Sequence, residues 1–385
     1  MARIIERGLT REGHTIILAG LVLLAWGIYS SSGHLLGLGL AISMIPLAGV
    51  LMVEAGLSQV TERIQRIVAG VPVEGRLALV EFQGDMNSLA VLPLAVELRD
   101  EAPPNVEVIG STSTKAIILP GTRFRVNYKV VARTGLRRFG RATARVTDLL
   151  GLYRVAIEFT PLGDLHLRAT PKIEYVDLGR EVAGDLPATV RLTARRRGTE
   201  FYMVREYQEG DDPRLIDWKA TARLSTLVVK EMRQEASSPA IILFAPSPLG
   251  DRGEPGRTPF ERLARIVAGL AESLSRLNRQ IGFIGLVEEP VVVPPLAGPR
   301  GFAGVIDGVS NTPPESPLPG NLAVILREYM EKYVRERPLI IVISPGGYLE
   351  EVVSELMPLI KENDLKIISV GLEKGEVKVS WMRGT

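Results

Sequence analysis

GHTIILAGLVLLAWGIYSSSGHLLGLGLAISMIPLAGVLMV, residues Gly13–Val53, contains no Asp, Glu, Lys or Arg. An uncharged run of this length is not ordinary surface sequence. It divides into two apolar blocks, Thr15–Tyr29 and Leu35–Val53, separated by Ser30-Ser31-Ser32-Gly33-His34. At 1.5 Å per residue the second block is about 28 Å long, close to a bilayer core of about 30 Å. Trp26 and Tyr29 lie at the far end of the first block, where an aromatic belt would sit. Gly37 and Gly39 offer close approach to a partner helix, and Pro46 is expected to kink the second one. The pattern predicts a transmembrane helical hairpin. A cleaved signal peptide fits poorly, because a second apolar block begins at once. A buried hairpin in a soluble protein gives the same pattern.

The flanking charges suggest an orientation. Arg3, Arg7 and Arg11 precede the first block, Arg63 and Arg66 follow the second, and the tight loop between has none. Positive-inside logic places both ends in the cytoplasm. The 385-residue chain as a whole has globular usage, with 46% hydrophobic and 23% charged residues. Lys+Arg number 46 against Asp+Glu 44, so charge balance gives no reason to expect a nucleic-acid partner. The chain has no cysteine, which excludes disulfides, thiolate nucleophiles and Cys-ligated metals. The three histidines, His14, His34 and His166, leave little room for a multi-His centre.

After a short amphipathic connector the texture changes at Pro72. Alternating runs appear at Arg76–Phe82, Leu89–Leu98, Val106–Ile109, Lys115–Leu119, Arg123–Val131, Ala142–Val146, Tyr153–Phe159 and Leu165–Ala169. Short strands at this spacing predict an all-β, sandwich-like domain. His166, between Leu165 and Leu167, is expected to face solvent or an interface. Gly135 and Gly151 are expected to permit tight turns in the phrases Arg133–Gly140 and Asp148–Tyr153.

A densely charged segment follows. It contains Gly198-Thr199-Glu200-Phe201, Arg205-Glu206-Tyr207, Gly210-Asp211-Asp212-Pro213-Arg214 and Ile216-Asp217-Trp218. Neighbouring carboxylates could hold a divalent cation, or could pair with nearby guanidinium forks. The ion-pair reading is preferred, because an Asp-Asp pair supplies too few oxygens for a hard cation, and Arg205, Glu206, Asp211, Asp212, Arg214 and Asp217 are expected to pair around Trp218. These phrases closely resemble the signature of domain-of-unknown-function family fifty-eight. The β-rich phrases and the N-terminal double apolar segment resemble that family as well. The resemblance implies a von Willebrand factor A-like domain at the end of the chain. It also implies a MoxR-type AAA+ ATPase as partner, and no established catalytic activity. Gly198, Glu200, Phe201, Arg205, Glu206, Tyr207, Gly210, Asp211, Asp212, Arg214, Asp217 and Trp218 are then the signature and interaction residues.

The last third alternates strand and helix, which predicts a doubly wound α/β sheet. Strands are expected at Ala240–Phe244, Ile281–Val287, Leu339–Ser344 and Leu365–Val370. Helices are expected at Pro259–Leu277, Leu322–Arg335 and Leu349–Ile360, the last kinked or ended by Pro358. Gly250–Gly256 and Thr312–Pro319 read as surface loops. Von Willebrand A domains often carry an Asp-x-Ser-x-Ser metal site after their first strand. The corresponding residues here are Ala245-Pro246-Ser247-Pro248-Leu249. The resemblance therefore implies a degenerate site at Ala245, Ser247 and Leu249, without metal or other cofactor.

Together these readings divide the chain into a hairpin over 1–56, a connector over 57–71, a β-sandwich-like domain over 72–176, a linker with the charged signature over 177–239, and a von Willebrand A-like domain over 240–385. The expected function is that of a non-enzymatic adaptor in the cell membrane, with its soluble domains in the cytoplasm and partners in the lipid bilayer and an AAA+ ATPase. One alternative is a metal-dependent hydrolase using Asp211, Asp212 and Asp217. Another is a structural envelope protein with no ATPase partner.

Overall fold

In a computed structural model, which describes residues 3–57, 64–86, 93–119, 122–173, 199–208, 216–234, 238–335, 337–363, 365–373 and 376–383, the uncharged stretch forms two helices. A strand, β1 (Arg3–Leu9), leads into α1 (Arg11–Tyr29), and α2 (Gly33–Leu57) follows after a short turn. The spans Arg11–Tyr29 and Gly33–Ala55 are long and apolar enough to cross a bilayer. Thr10 caps α1, its hydroxyl accepting from Gly13 N. Gly13, Gly20 and Gly27, seven residues apart, are the buried residues of α1. A Cβ at Gly27 would stand 2.8 Å from Leu36 N, one at Gly39 2.7 Å from Leu24 N, and one at Gly20 3.0 Å from Gly39 O. Small residues thus let the two backbones touch. Gly39 makes the expected close approach, whereas Gly37 has nothing within 4 Å. Pro46 sits inside α2.

The chain divides into two compact units. The first comprises Met1–Lys172, Gly250–Glu261 and Val309–Pro314. Besides the hairpin it holds β2 (Ile64–Val68), β3 (Leu77–Met86), β4 (Leu94–Arg99), β5 (Val108–Ile109), β6 (Ser113–Ile118), β7 (Thr122–Val131), β8 (Gly135–Arg138), β9 (Ala142–Asp148), β10 (Tyr153–Phe159), β11 (Leu162–Gly163) and β12 (His166–Ala169). One five-stranded sheet has the order β1-β10-β9-β4-β6 and another the order β11-β2-β3-β7-β5, while β8 pairs with β12. Residues of both large sheets, among them Phe82, Val126, Val96 and Val146, meet in one core with Val53 of α2. His166 is exposed, as the alternation requires.

Two strands lie outside the predicted β region. β1 precedes the hairpin, and β2 occupies the stretch read as a connector. The amphipathic pattern there is that of a strand, with Ile64 and Arg66 inward and Gln65 and Ile67 outward. Because β1 and β2 flank the hairpin, both of its ends emerge on the side of the β part. Three contacts join them. Thr10 donates to Gly151 O at 2.7 Å, Glu54 accepts from Arg7 at 2.8 Å and from the Tyr153 hydroxyl at 2.6 Å, and Gly49 packs beside Asp148. Burial first, and then the Glu54 bond, raises the Tyr153 phenol above its ordinary range. The loop expected at 312–319 is not simply a surface loop. Thr312 is fully buried and its carbonyl accepts from Leu136 N at 3.0 Å.

The second unit holds β13 (Thr199–Glu206), α3 (Trp218–Leu224), β14 (Val228–Gln234), β15 (Ala240–Phe244), most of α4 (Pro259–Arg276), β16 (Gln280–Gly285), β17 (Val291–Ala297), α5 (Gly298–Ser310), α6 (Leu322–Tyr333), β18 (Leu339–Pro345), α7 (Gly346–Asn363), β19 (Lys366–Glu373) and β20 (Glu376–Arg383). Its six-stranded sheet runs β17-β16-β15-β18-β19-β20. The inner four strands are parallel, and β17 and β20 add antiparallel edges. Apolar runs such as Ala240–Phe244 are buried throughout, as a sheet covered on both faces requires. Leu326, Val352 and Leu356 of α6 and α7 pack on Ile241, Leu243 and Val342. On the other face α5 lies so close that a Cβ at Gly308 would stand 2.5 Å from the Phe283 ring. Pro358 does not end α7, which runs on to Asn363. Buried Leu356, Leu359 and Ile360 hold that last turn by packing, although the proline removes one helical hydrogen bond.

Arg66 corrects the sequence reading. It was expected to flank the membrane as a surface charge, but it is 1% exposed inside the β part. Its guanidinium grips Asp100 with two nitrogens, donates to Gly140 O at 3.1 Å, and stacks 4.3 Å from the Phe139 ring centre. The Tyr128 hydroxyl donates to the same carboxylate at 2.7 Å. Burial, with the Asp100 charge beside it, drives the Tyr128 phenol far above its ordinary value. Replacing Asp100 by Ala leaves a buried guanidinium unpaired. Asp100→Ala is expected to destabilise the protein by about 3–5 kcal/mol in denaturant melts, and a change under about 1 kcal/mol would refute this account.

Candidate functional site

The described part of the charged signature includes one strand of a two-stranded antiparallel ribbon and a short helix. β13 pairs with β14 from Thr199↔Gln234 to Glu206↔Val228, and the short α3 precedes β14. Asp217 is the N-cap of α3, its carboxylate accepting from Lys219 N and Ala220 N, both at 3.1 Å. Trp218 begins that helix and is 67% exposed. It is therefore not the buried centre of an ion-pair network. Leu224 and Leu227, at the other end of the helix, are also exposed, whereas Val228 and Val229 turn inward. Glu200, Phe201, Arg205 and Glu206 lie on β13, and Tyr207 follows it. Gly198, Gly210, Asp211, Asp212 and Arg214 lie outside the described residues.

The turn after β15 offers hydroxyls and apolar groups. Ala245 is fully buried and donates its N–H to Ile343 O at 2.9 Å. Ser247 accepts from Leu249 N at 3.2 Å, forming a local turn, and Leu249 is half exposed. On the neighbouring strand the Ser344 hydroxyl is buried without a hydrogen-bond partner. Among the described residues, no three His, Asp or Glu side chains gather as a metal-binding group.

The nearest acid in sequence, Asp251, belongs to a different constellation in the first unit. The loop read as a flexible surface stretch holds it 5% exposed. Arg137 grips both of its oxygens at 2.6 and 2.7 Å, Arg133 adds a bond at 2.8 Å, and Asn105 another at 3.2 Å. Arg133 also binds Glu261 at 2.7 Å. The second Glu261 oxygen accepts from the Thr258 backbone and hydroxyl. Thr258-Pro259-Phe260-Glu261 is thus a capping box, with proline at the first helical position of α4.

Sequence reading assigned this cluster no role. The capping-box pattern was a usable signal for Glu261. The inward strand position of Arg137, beside Gly135, was another. Nothing in the spacing linked either to Asp251.

Burial alone would push the Asp251 carboxyl up. The Arg137 bonds, with the Arg137 and Arg133 charges, outweigh burial and hold it below the ordinary carboxylate range. A carboxyl depressed on folding contributes stability above its unfolded pKa of about 3.9, and this is lost as pH falls through the folded value. Asp251→Ala should therefore cost about 3–5 kcal/mol at pH 7. The gap to the parent protein should close as the medium is acidified below pH 4. Denaturant melts at pH 7 and in acid check this, and a gap that does not change with pH would contradict it.

Comparison with known proteins adds one family. No curated protein matches the chain. Among solved structures, a beta-glucosidase from Paenibacillus barengoltzii is similar at 13% identity with a TM-score of 0.12. The alignment covers 73% of this chain but only 34% of that enzyme's, and so low a score carries no argument about fold or activity. A family match begins at Met203 inside β13 and ends at Leu372 in β19, taking in the Arg205–Tyr207 and Ile216–Trp218 phrases and most of the α/β sheet. Residues 203–372, somewhat under half of the chain, match the family described as Protein of unknown function DUF58, the family that the signature phrases resemble.

Proposed function

We propose that this chain is a non-enzymatic membrane-anchored adaptor. Its hairpin would hold a β-sandwich domain at the cytoplasmic membrane surface, and its von Willebrand A-like domain would present a protein-binding surface to a MoxR-type AAA+ ATPase. The observation that carries this reading is exposed Trp218 with Leu224 and Leu227 on the signature module. Tryptophan is the residue type most enriched at the energetic centres of protein interfaces. Asp217 speaks against the hydrolase alternative, since its carboxylate is engaged by two backbone N–H groups. The cytoplasmic orientation rests on Arg3, Arg7 and Arg11, because Arg66 is buried. The ATPase rests on the family resemblance.

Immobilised full-length protein in nanodiscs, exposed to a native extract, should capture an AAA+ ATPase identifiable by mass spectrometry. Trp218→Ala should reduce capture at least tenfold with an unchanged melting temperature. Capture should survive EDTA, because the turn at Ala245–Leu249 offers no carboxylate. Undiminished capture by the Trp218 variant would sink the assignment of the surface. In sealed cells, an impermeant protease should leave tags at both termini intact, and digestion of either would overturn the orientation.

A further inference from the structure

The turn between β9 and β10 ends in two exposed leucines, Leu149 at 51% and Leu150 at 67%. The turn is well fixed. Asp148 accepts from Leu150 N at 3.0 Å and from Tyr153 N at 2.7 Å. Thr10, the N-cap of the first apolar helix, bonds to Gly151 O at 2.7 Å and Leu152 O at 2.9 Å. Gly49 rests against Asp148. It lies six residues inside the end of the second candidate span, Gly33–Ala55, about 9 Å along the helix axis. The leucine tip therefore stands level with the ends of both helices, where a bilayer begins.

Behind the tip, the outer face of the same sheet forms a groove of about 520 Å³. Two rows of side chains cross it. One runs Arg154, Thr147, Ala95, Ile117, and the next runs Arg145, Glu97, Lys115. Glu97 is shared between Arg145 at 2.9 Å and Lys115 at 3.9 Å. Arg154 makes no ion pair within 4 Å among the described residues, although Glu12 lies within its electrostatic reach. The Nε–H groups of Arg145 and Arg154 are buried with no hydrogen-bond partner. Buried donors of this kind normally find an acceptor, and guanidinium groups suit phosphate oxygens. Even with Arg11 on one side and Glu6 and Glu12 on the other, cations exceed acids by four to three. Ile117, 59% exposed, closes the first row at its far end, on the edge strand β6.

We propose that this end of the sheet is a membrane-contact face, in which Leu149 and Leu150 enter the interfacial layer and the groove of Lys115, Arg145 and Arg154 holds the phosphate of an anionic phospholipid. Apolar insertion beside a cationic groove is the combination by which peripheral surfaces recognise anionic bilayers. Thr147 and Arg154 of the groove directly flank the leucine turn, and this closeness to the apolar tip selects a lipid over free phosphate. The proposal rests on the membrane reading of the hairpin, so its test must separate the two.

The absence of cysteine makes single-site labelling unambiguous. The full chain in nanodiscs containing phosphatidylglycerol would be labelled with bimane at Leu21→Cys, Leu150→Cys or Ser111→Cys, and quenched with doxyl lipids. Quenching is expected at positions 21 and 150 and absent at 111. No quenching at position 21 would sink the membrane reading itself. Quenching at 21 but not at 150 would sink the contact face alone. In detergent, short-chain phosphatidylglycerol should raise the melting temperature by about 2–5 °C. Phosphatidylcholine and inorganic phosphate should not, and the rise should vanish in R145Q/R154Q. Both arginines are part-exposed, so this variant should fold. An equal rise with free phosphate, or one that persists in the variant, would overturn the lipid site.

Discussion

A guanidinium withdrawn from water needs an acceptor, and the first unit is organised around three such groups that are met by carboxylates. Arg66 is matched to Asp100, and Arg133 and Arg137 to Asp251 and Glu261. These pairs span 34 to 128 residues of sequence. They add little net stability over an apolar core of the same shape, but breaking one costs several kcal/mol. Their contribution is specificity of arrangement. The segment Gly250–Glu261 can join the first unit in one register only, because a slip would strand buried charge.

The parts of the fold set by periodicity were legible. The uncharged run gave two helices, the alternating runs gave most of the strands, and Ala240–Phe244 and Leu339–Ser344 gave buried parallel strands. What escaped was short or chemically atypical. β1 is a seven-residue strand of mixed charge, and β17 contains Pro294 and Pro295, tolerable only at an edge. Arg66 reads as a flanking surface charge unless its distant partner Asp100 is known. Gly37 and Gly39 were read as the close-approach glycines, and the seven-residue spacing of Gly13, Gly20 and Gly27 went unread. Their role becomes plain only when Gly39 and Leu36 are seen opposite them.

The candidate site was legible in location more than in mechanism. Local sequence marked the signature segment, and the structure gives Asp217 a capping role and Trp218 an exposed one. Spacing suggested charge pairing around Trp218. The buried pairing that the structure describes lies elsewhere, at Arg133 and Arg137, because ion pairs form between strands and loops remote in sequence. The turn at Ala245–Leu249 shows the converse case. Its residue types alone remove the carboxylates a hard cation needs, whatever the fold around them.

The position of β1 constrains the order of events during synthesis. This strand is made well before its partner β10, residues 153–159. At roughly 5–20 residues per second, the N-terminal strand waits on the order of ten to thirty seconds for that partner to be translated. On the membrane reading proposed above, the apolar hairpin, complete far sooner, enters the bilayer in the meantime. Closing the sheet afterwards ties the two ends of an already placed hairpin together. On that reading domain folding is the last step of anchoring, and a nascent chain halted before residue 153 would hold its helices without the strand pairing that fixes their ends.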